Sequence, residues 1–456
     1  VDKLGDAAAN SITLSAGGNF IPIPFSAASG DPTVAAALQA FYAQLLNVDP
    51  AGLASLTAAV GRVDVAVLNG IGIQATTIGN HDSDFGFTIL ADAIDMTTSG
   101  GFATSIGALF PYLSANLDFS GDPALRGLYT DTLRDAVSYV TAAADLAAST
   151  TVTADQQIAP WTTIQEGGQT IGVLAVTTQL EAQLTSLGGT KVKDPAGDGG
   201  VDNLDEVAGI LQPLIDQMTA QGINKIVLLS QLQQYTNELQ LVAKLSGVEV
   251  IVAGGSHAIF ADGTEALRRG NTTDQGYPQF VTGADGNPVA VVSTGNEYSY
   301  VGLLVMTFDQ TGVIVPGSVN PAVSGAYAIT DKTVAALWSD EDPYAGGHAR
   351  RRGAPAPYPR GRGDQQQGRH RLRRNQGLPG RPPRRGAHGG NQTRLPVRRR
   401  QSLAGAPGGR RSNRVLQERR RHPRRDRRPV DRHQLGGNPA AGQPHRWQAG
   451  RRHQPA

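Results

Sequence analysis

The stretch Ala75-Thr76-Thr77-Ile78-Gly79-Asn80-His81-Asp82 opens as a short β-type run and breaks off in a Gly-Asn-His-Asp turn. Threonine and isoleucine suit a pleated, half-buried strand, whereas Gly, Asn and Asp suit the turn that follows. Residues 63–73, just before it, carry apolar side chains at helical spacing, so helix, strand and polar loop follow in immediate succession. The same order recurs further on. A helix is predicted over 203–221, where Leu204, Val207, Leu211, Leu214, Ile215 and Met218 share one face and Gly222 stands at the end. A very apolar strand over 225–229 follows and runs into Ser230-Gln231. A helix over 238–245, a strand over 248–252 and the loop Gly254-Gly255-Ser256-His257 repeat the unit. Helices alternating with buried strands predict an α/β domain.

Shorter signals fill in the remainder. Ile12 to Ser15 reads as a strand entering the loop Ala16-Gly17-Gly18-Asn19, 34–46 as a helix, and 110–117 as strand-like. The runs 161–164 and 170–176 flank Glu166-Gly167-Gly168, a hairpin signal, and strands are expected over 289–293 and 301–308 before a turn at 309–312.

Composition divides the chain in two. Residues 1–349 hold 11 Lys and Arg against 35 Asp and Glu, whereas 350–456 hold 30 against 4, every one of the 30 an arginine. The formal net charge of +2 therefore describes neither piece. There is no cysteine, which excludes a disulfide framework and thiolate chemistry. No apolar run reaches the roughly 18 residues of a membrane span, and residues 1–15 lack the basic start and apolar core of a signal peptide.

Loops directly after strands are where sites are built. Here they are Gly17 to Asn19, Gly79 to Asp84, Ser230-Gln231 and Gly254 to His257. Hydrolysis of phosphoesters by two metals needs clustered His, Asp and Asn ligands that hold cations about 3.5–4 Å apart. Taken singly, Asn80-His81 is ordinary turn chemistry, His257 an ordinary loop residue, and Asp82 and Asp84 solvated turn carboxylates, with contact to the site as the alternative for either. Gln231 reads as a spectator or as a donor to phosphate, and Gly254-Gly255 as room for close backbone passage.

Taken together the blocks resemble the calcineurin-like metallophosphoesterases, in their 5′-nucleotidase and atypical alkaline phosphatase branch, across residues 10–335. Thr77 to Asp82 resembles that family's GNH[ED] block, Ser114-Ala115-Asn116-Leu117 its SANL segment, and 171–178 its IGVxGxTT strand. Residues 226–230 resemble its VILLSH strand and 251–257 its GGHSH loop.

The resemblance implies a four-layer α/β-β/α sandwich over residues 1–345 and hydrolysis of phosphate monoesters or nucleotides at two divalent ions, whether Zn, Mn, Ca or Mg. It also implies an exported, periplasmic or extracellular setting. It makes Asn80 a metal ligand, His257 a ligand to the other metal, and His81 the catalytic residue that stabilises the transition state or protonates the leaving oxygen. The family's ligands are expected to be lost at Gly18, where a bridging aspartate belongs, at Gln231 in place of a histidine, and at Gly255 in place of the first histidine of GHxH. Its first D-x-H block belongs upstream of Ile12 and is expected to be missing. Neither Gly nor neutral Gln replaces an anionic ligand between two dications, so metal binding and activity are expected to be weak. The alternative is a catalytically inactive binding protein.

The arginine-rich stretch, 346–456, is expected to be a disordered tail. Read directly it is a non-specific nucleic-acid arm. Read one base later, arginine codons of the CGN type give Gly, Ala, Val or Asp. Residues 417–423 can be encoded CAA GAA CGG CGG CGG CAT CCG, and with that choice of codons the shifted frame reads KNGGGIR, which resembles a hallmark of the nucleotidase C-terminal domain. Residues 395–404 and 366–383 can likewise be encoded so that the shifted frame reads YLSADANLW and NKDGIVFGETKVYLEGRR, in the same family order. A one-base slip near 344–348 accounts for all three, and the codons of the gene test it.

Overall fold

Ala75–Thr77, the strand beneath the Gly-Asn-His-Asp turn, lies inside a four-stranded parallel sheet. The computed structural model describes residues 1–5, 8–148 and 156–338, all within one compact unit. The sequence boundary at 345/346, the tail and its frame-slip reading fall outside the described residues. Numbered along the chain, the first sheet comprises β1 (Leu14–Ser15), β2 (Ala75–Thr77), β3 (Tyr112–Leu113) and β4 (Ile158–Ala159), in that order, every neighbouring pair parallel. The second comprises β5 (Trp161–Glu166), β6 (Gln169–Thr177), β7 (Ile226–Gln231), β8 (Val250–Gly254), β9 (Gln279–Thr282) and β10 (Pro288–Val292), in the order β9-β10-β8-β7-β6-β5. Strands β10, β8, β7 and β6 are mutually parallel, and β5 and β9 close the edges antiparallel.

The main helices are α1 (Ala35–Leu46), α2 (Arg62–Ile71), α3 (Phe87–Ile94), α4 (Val137–Ala147), α5 (Leu204–Ala220) and α6 (Tyr235–Val242). The period-2 alternation of a strand builds the layers. In β6 and β7, Val173, Ala175, Val227 and Leu229 meet Ala75, Leu113 and Ala159 of the first sheet. Their neighbours Leu174, Val176, Ile226 and Leu228 face Val207, Leu211, Ile215 and Met218 of α5 and Leu241 and Val242 of α6. On the far side, Val65 and Leu68 of α2 and Leu90 and Ile94 of α3 cover Tyr112 and Ile158. The result is helix, sheet, sheet, helix, the four-layer α/β-β/α sandwich that the resemblance implied.

Local chemistry explains the boundaries. Asn203 caps α5, its side chain accepting from the Glu206 amide at 3.4 Å, and Asp205 and Glu206 place negative charge in the first turn. Gly167 and Gly168 take φ of +56° and +75°, the primed turn that a Gly-Gly hairpin supplies. The predicted strand over 110–117 is broken into β3 and a two-residue strand at Leu117–Asp118, because after Ser114 the chain crosses to β6, the Ala115 amide donating to the Ala175 carbonyl at 2.8 Å and the Asn116 side chain binding Thr177. The predicted helix over 238–245 begins three residues earlier, at Tyr235. Among the described residues no helix is long and apolar enough to cross a membrane.

Candidate functional site

Parallel strands deliver their carboxyl ends to one edge, so the loops after β1, β2, β7 and β8 converge. After β1 the chain turns through Gly17 and Gly18, both left-handed at φ +85° and +67°. Gly17 has no room for a side chain: a Cβ there would stand 2.8 Å from Thr77 Cγ2 and 2.9 Å from the Thr77 carbonyl. The turn aims the amides of Gly18 and Asn19 at Asp82, which accepts both at 2.9 Å and the Gly79 amide at 2.8 Å. Asp82 is thus a buried staple joining the first two loops rather than a solvated turn carboxylate. Burial pushes its pKa up to about 6, against the pull of the three amides and His81.

His81 and Asp84 form a pair. Nδ1 of His81 lies 2.6 Å from Asp84 Oδ2, with the imidazole about a third exposed. The carboxylate fixes the ring and leaves Nε2 as the nitrogen not engaged by Asp84. Asp84 is exposed, as a turn carboxylate is, and it also touches the candidate catalytic residue. Its signal in the sequence was the i,i+3 spacing, which one helical turn brings together.

The amide of Asn80 is already engaged: its Oδ1 accepts from Gln233 Nε2 at 2.8 Å. Gln231, at the end of β7, is buried among three glycines. A Cβ would lie 3.3 Å from its Nε2 at Gly18, 2.6 Å from its Nε2 at Gly79, and 2.4 Å from its Oε1 at Gly254. Gly255 adjoins Gln233 in the same manner. Two residues on, His257 is exposed at φ +58°. The structure therefore gathers Gly18, Asn80, His81, Gln231 and Gly255 around one cleft, with His257 carried on the fourth loop. Sequence reasoning missed Gln233, whose role follows from a loop conformation that no periodicity reveals.

Behind the cleft stand buried acids without cationic partners. Glu181 is fully buried, receives the Ser83 hydroxyl at 3.3 Å and lies near Asp82 and Asp84; burial raises its pKa to about 8. Glu238 on α6 accepts from the Ser230 hydroxyl at 2.8 Å and the Leu232 amide at 3.3 Å, and burial raises it to about 7.

Asn116 of the Ser-Ala-Asn-Leu segment joins the sheets, its side chain accepting from the Thr177 amide at 2.9 Å and donating to the Thr177 carbonyl at 2.6 Å. Thr177 in turn donates to the Ile78 carbonyl at 2.7 Å, just before the Gly-Asn-His-Asp turn. Asn116→Ala orphans two buried backbone groups, so unfolding in urea is expected to show a loss of about 2–4 kcal/mol.

A probable 5′-nucleotidase of Treponema pallidum is 27% identical over 255 residues, covering 56% of this chain and 34% of the relative. The 5′-nucleotidase of Rattus norvegicus is 25% identical over 271 residues, covering 59% of this chain and 38% of that one. The chain is related to the 5′-nucleotidases. It spans between a third and two fifths of the length of these two relatives. No family model matches it. A solved 5′-nucleotidase precursor of Thermus thermophilus superposes with a TM-score of 0.43 at 22% identity, over 72% of this chain and 57% of that one.

The two divalent ions implied for the 5′-nucleotidase type require donors that these residues do not offer. Both oxygens of Asp82 are taken by backbone amides, Asp84 holds His81, and Asn80 Oδ1 holds Gln233. Gly18 and Gly255 contribute no side chain, and Gln231 is neutral. Among the described residues, the one group of three His, Asp or Glu side chains with ligand atoms within 4.8 Å of one another is Asp194, Asp198 and Glu206, none of them in the strand-end loops above. Two dications held close together need carboxylates between them. The residues of this cleft do not fit that pair of ions.

Proposed function

We propose that this chain is a 5′-nucleotidase-type phosphoesterase domain that receives phosphate monoesters at the cleft around His81 and hydrolyses them only weakly. The observation that carries the reading is the His81–Asp84 pair at 2.6 Å, standing beside Gly18 where the resemblance calls for a bridging carboxylate. The proton-handling half of the site is intact. Asp84 orients the imidazole, and Nε2 is available to hold or deliver a proton to the oxygen of a leaving alcohol. What stabilises charge on the phosphoryl oxygens is depleted, and such electrostatic stabilisation is usually the largest part of catalysis. Relationship to 5′-nucleotidases supports nucleotides or small phosphate monoesters as the substrate class, and the absence of cysteine suits an exported setting.

A chromogenic phosphate ester assayed with Mn2+ or Zn2+ tests this. Turnover by the full chain is expected to be weak, little raised by either ion, and lower still in His81→Ala. Strong metal-dependent turnover that His81→Ala abolishes would refute the impairment. The non-catalytic reading is separated by binding: a competitive shift in a nucleoside monophosphate titration without turnover favours a binding protein.

A further inference from the structure

Gln231 and Gln233 fit their surroundings closely. Gln231 is 2% exposed, and the three positions that face it, Gly18, Gly79 and Gly254, all lack a side chain. At Gly79 and Gly254 any Cβ would collide with the Gln231 amide, at 2.6 and 2.4 Å. Gln233 has the same relation to Gly255, where a Cβ would lie 3.0 Å from its backbone nitrogen and 3.1 Å from its Nε2. Gln233 also adopts φ +63°, a left-handed conformation that is strained for a residue with a side chain. That conformation accompanies the hydrogen bond from Gln233 Nε2 to Asn80 Oδ1.

We infer that Gln231 and Gln233 form a neutral amide tie that fills the cleft where the resemblance places two cations, and that this tie, not metal, holds the strand-end loops together. The inference rests on reading the cleft as the counterpart of a metallophosphoesterase centre. The links between the loops run through the protein's own groups. Asp82 joins the loops after β1 and β2 through three backbone amides. Gln233 joins the loop after β7 to that after β2 through Asn80. Gln231 packs against glycines of the loops after β1, β2 and β8. Gln231 Oε1 is buried without a partner, but one neutral oxygen does not hold a dication, which takes several hard, mostly anionic donors. The glycines and glutamines are a matched set: a larger residue at 79 or 254 displaces the amide, and loss of the amide leaves the glycines lining a void.

Thermal unfolding of the full chain in EDTA, Mn2+ and Zn2+ tests the metal half of the inference and needs no variant. The melting temperature is expected to be the same in EDTA and in either ion. A rise with Mn2+ or Zn2+ that disappears in Asn80→Ala would overturn it. The tie itself is tested by a double-mutant cycle of Asn80→Ala and Gln233→Ala in urea. Coupling of at least threefold in the unfolding constant is expected, and additive effects would overturn it. Both readouts are independent of turnover, so failure of the impaired-phosphoesterase reading shows separately in the ester assay.

Discussion

Replacing Glu181 by Gln is expected to stabilise the protein progressively as pH rises, by roughly 3–4 kcal/mol more at pH 8 than at pH 5. Glu181 is fully buried, bonded through one oxygen to the Ser83 hydroxyl at 3.3 Å, with its other oxygen unpartnered. Burial, with repulsion from Asp82 and Asp84, raises its pKa from 4.5 to about 8. An acid raised in the folded state works against folding as it ionises. Below 4.5 both states are protonated and the group costs nothing. Between 4.5 and about 8 the unfolded chain releases the proton while the folded chain keeps it, so stability falls as pH rises. A shift of one pKa unit corresponds to about 1.4 kcal/mol. Glutamine keeps an oxygen for Ser83 and removes the ionisation. Urea unfolding of both proteins between pH 5 and 8 gives the difference directly, and a gap that does not change with pH would defeat the argument. Glu238 and Glu249, raised to about 7 and about 8, move in the same direction but are common to both proteins and cancel.

The helix–strand rhythm of the sequence carried the architecture because burial imposes periodicity. Residues 203–229 spelled out α5 and β7 through one apolar helix face and one continuous apolar strand, and both stand nearly where the pattern put them. Boundaries failed where the chain crosses from one sheet to the other, as at Ser114 to Asn116, where the Ser114 amide still donates to Ala159 while Ala115 and Asn116 bond to β6. Within the site, the positions facing the cleft were legible because each loop directly follows a strand, and parallel strands end together. The partners were not. Asp82 reads as a solvated turn residue because nothing local shows that Gly18 and Asn19, more than sixty positions earlier, bring it two amides. Gln233 was overlooked because its side chain reaches Asn80 only through a left-handed turn, which glutamine gives no reason to expect. Glu181 opens a single helical turn, Glu181–Leu184, and Glu238 sits in α6; nothing local marks either, and their raised pKa arises from burial with one oxygen left unpaired.

The largest gain should come from restoring donors to the cleft. Gly18→Asp, Gln231→His and Gln233→Ala combined are expected to tighten Mn2+ or Zn2+ binding by at least about a thousandfold over the wild-type chain, which is about 4 kcal/mol. Each change has a separate physical reason. Position 18 sits at φ +67°, a left-handed conformation that aspartate tolerates better than most residues, and its Cβ would lie 3.9 Å from His81 and 3.3 Å from the Gln231 amide. The aspartate therefore needs Gln231 gone, and histidine there replaces a neutral amide with a nitrogen ligand. Removing the Gln233 side chain frees Asn80 Oδ1, which otherwise stays engaged at 2.8 Å. An aspartate, an asparagine and a histidine from three loops then face one cleft, with His257 on the fourth, and such a mixed set suits a single transition-metal ion. Competition with a fluorescent chelator measures the affinity. Adding Asn80→Ala to the triple variant should cost at least tenfold, which separates this cleft from the acidic group of Asp194, Asp198 and Glu206. The double variant that keeps Gln233 should bind more weakly than the triple, since the amide tie still competes for Asn80. A triple variant that folds yet binds no better than the wild type would show that the deficit lies beyond these three positions.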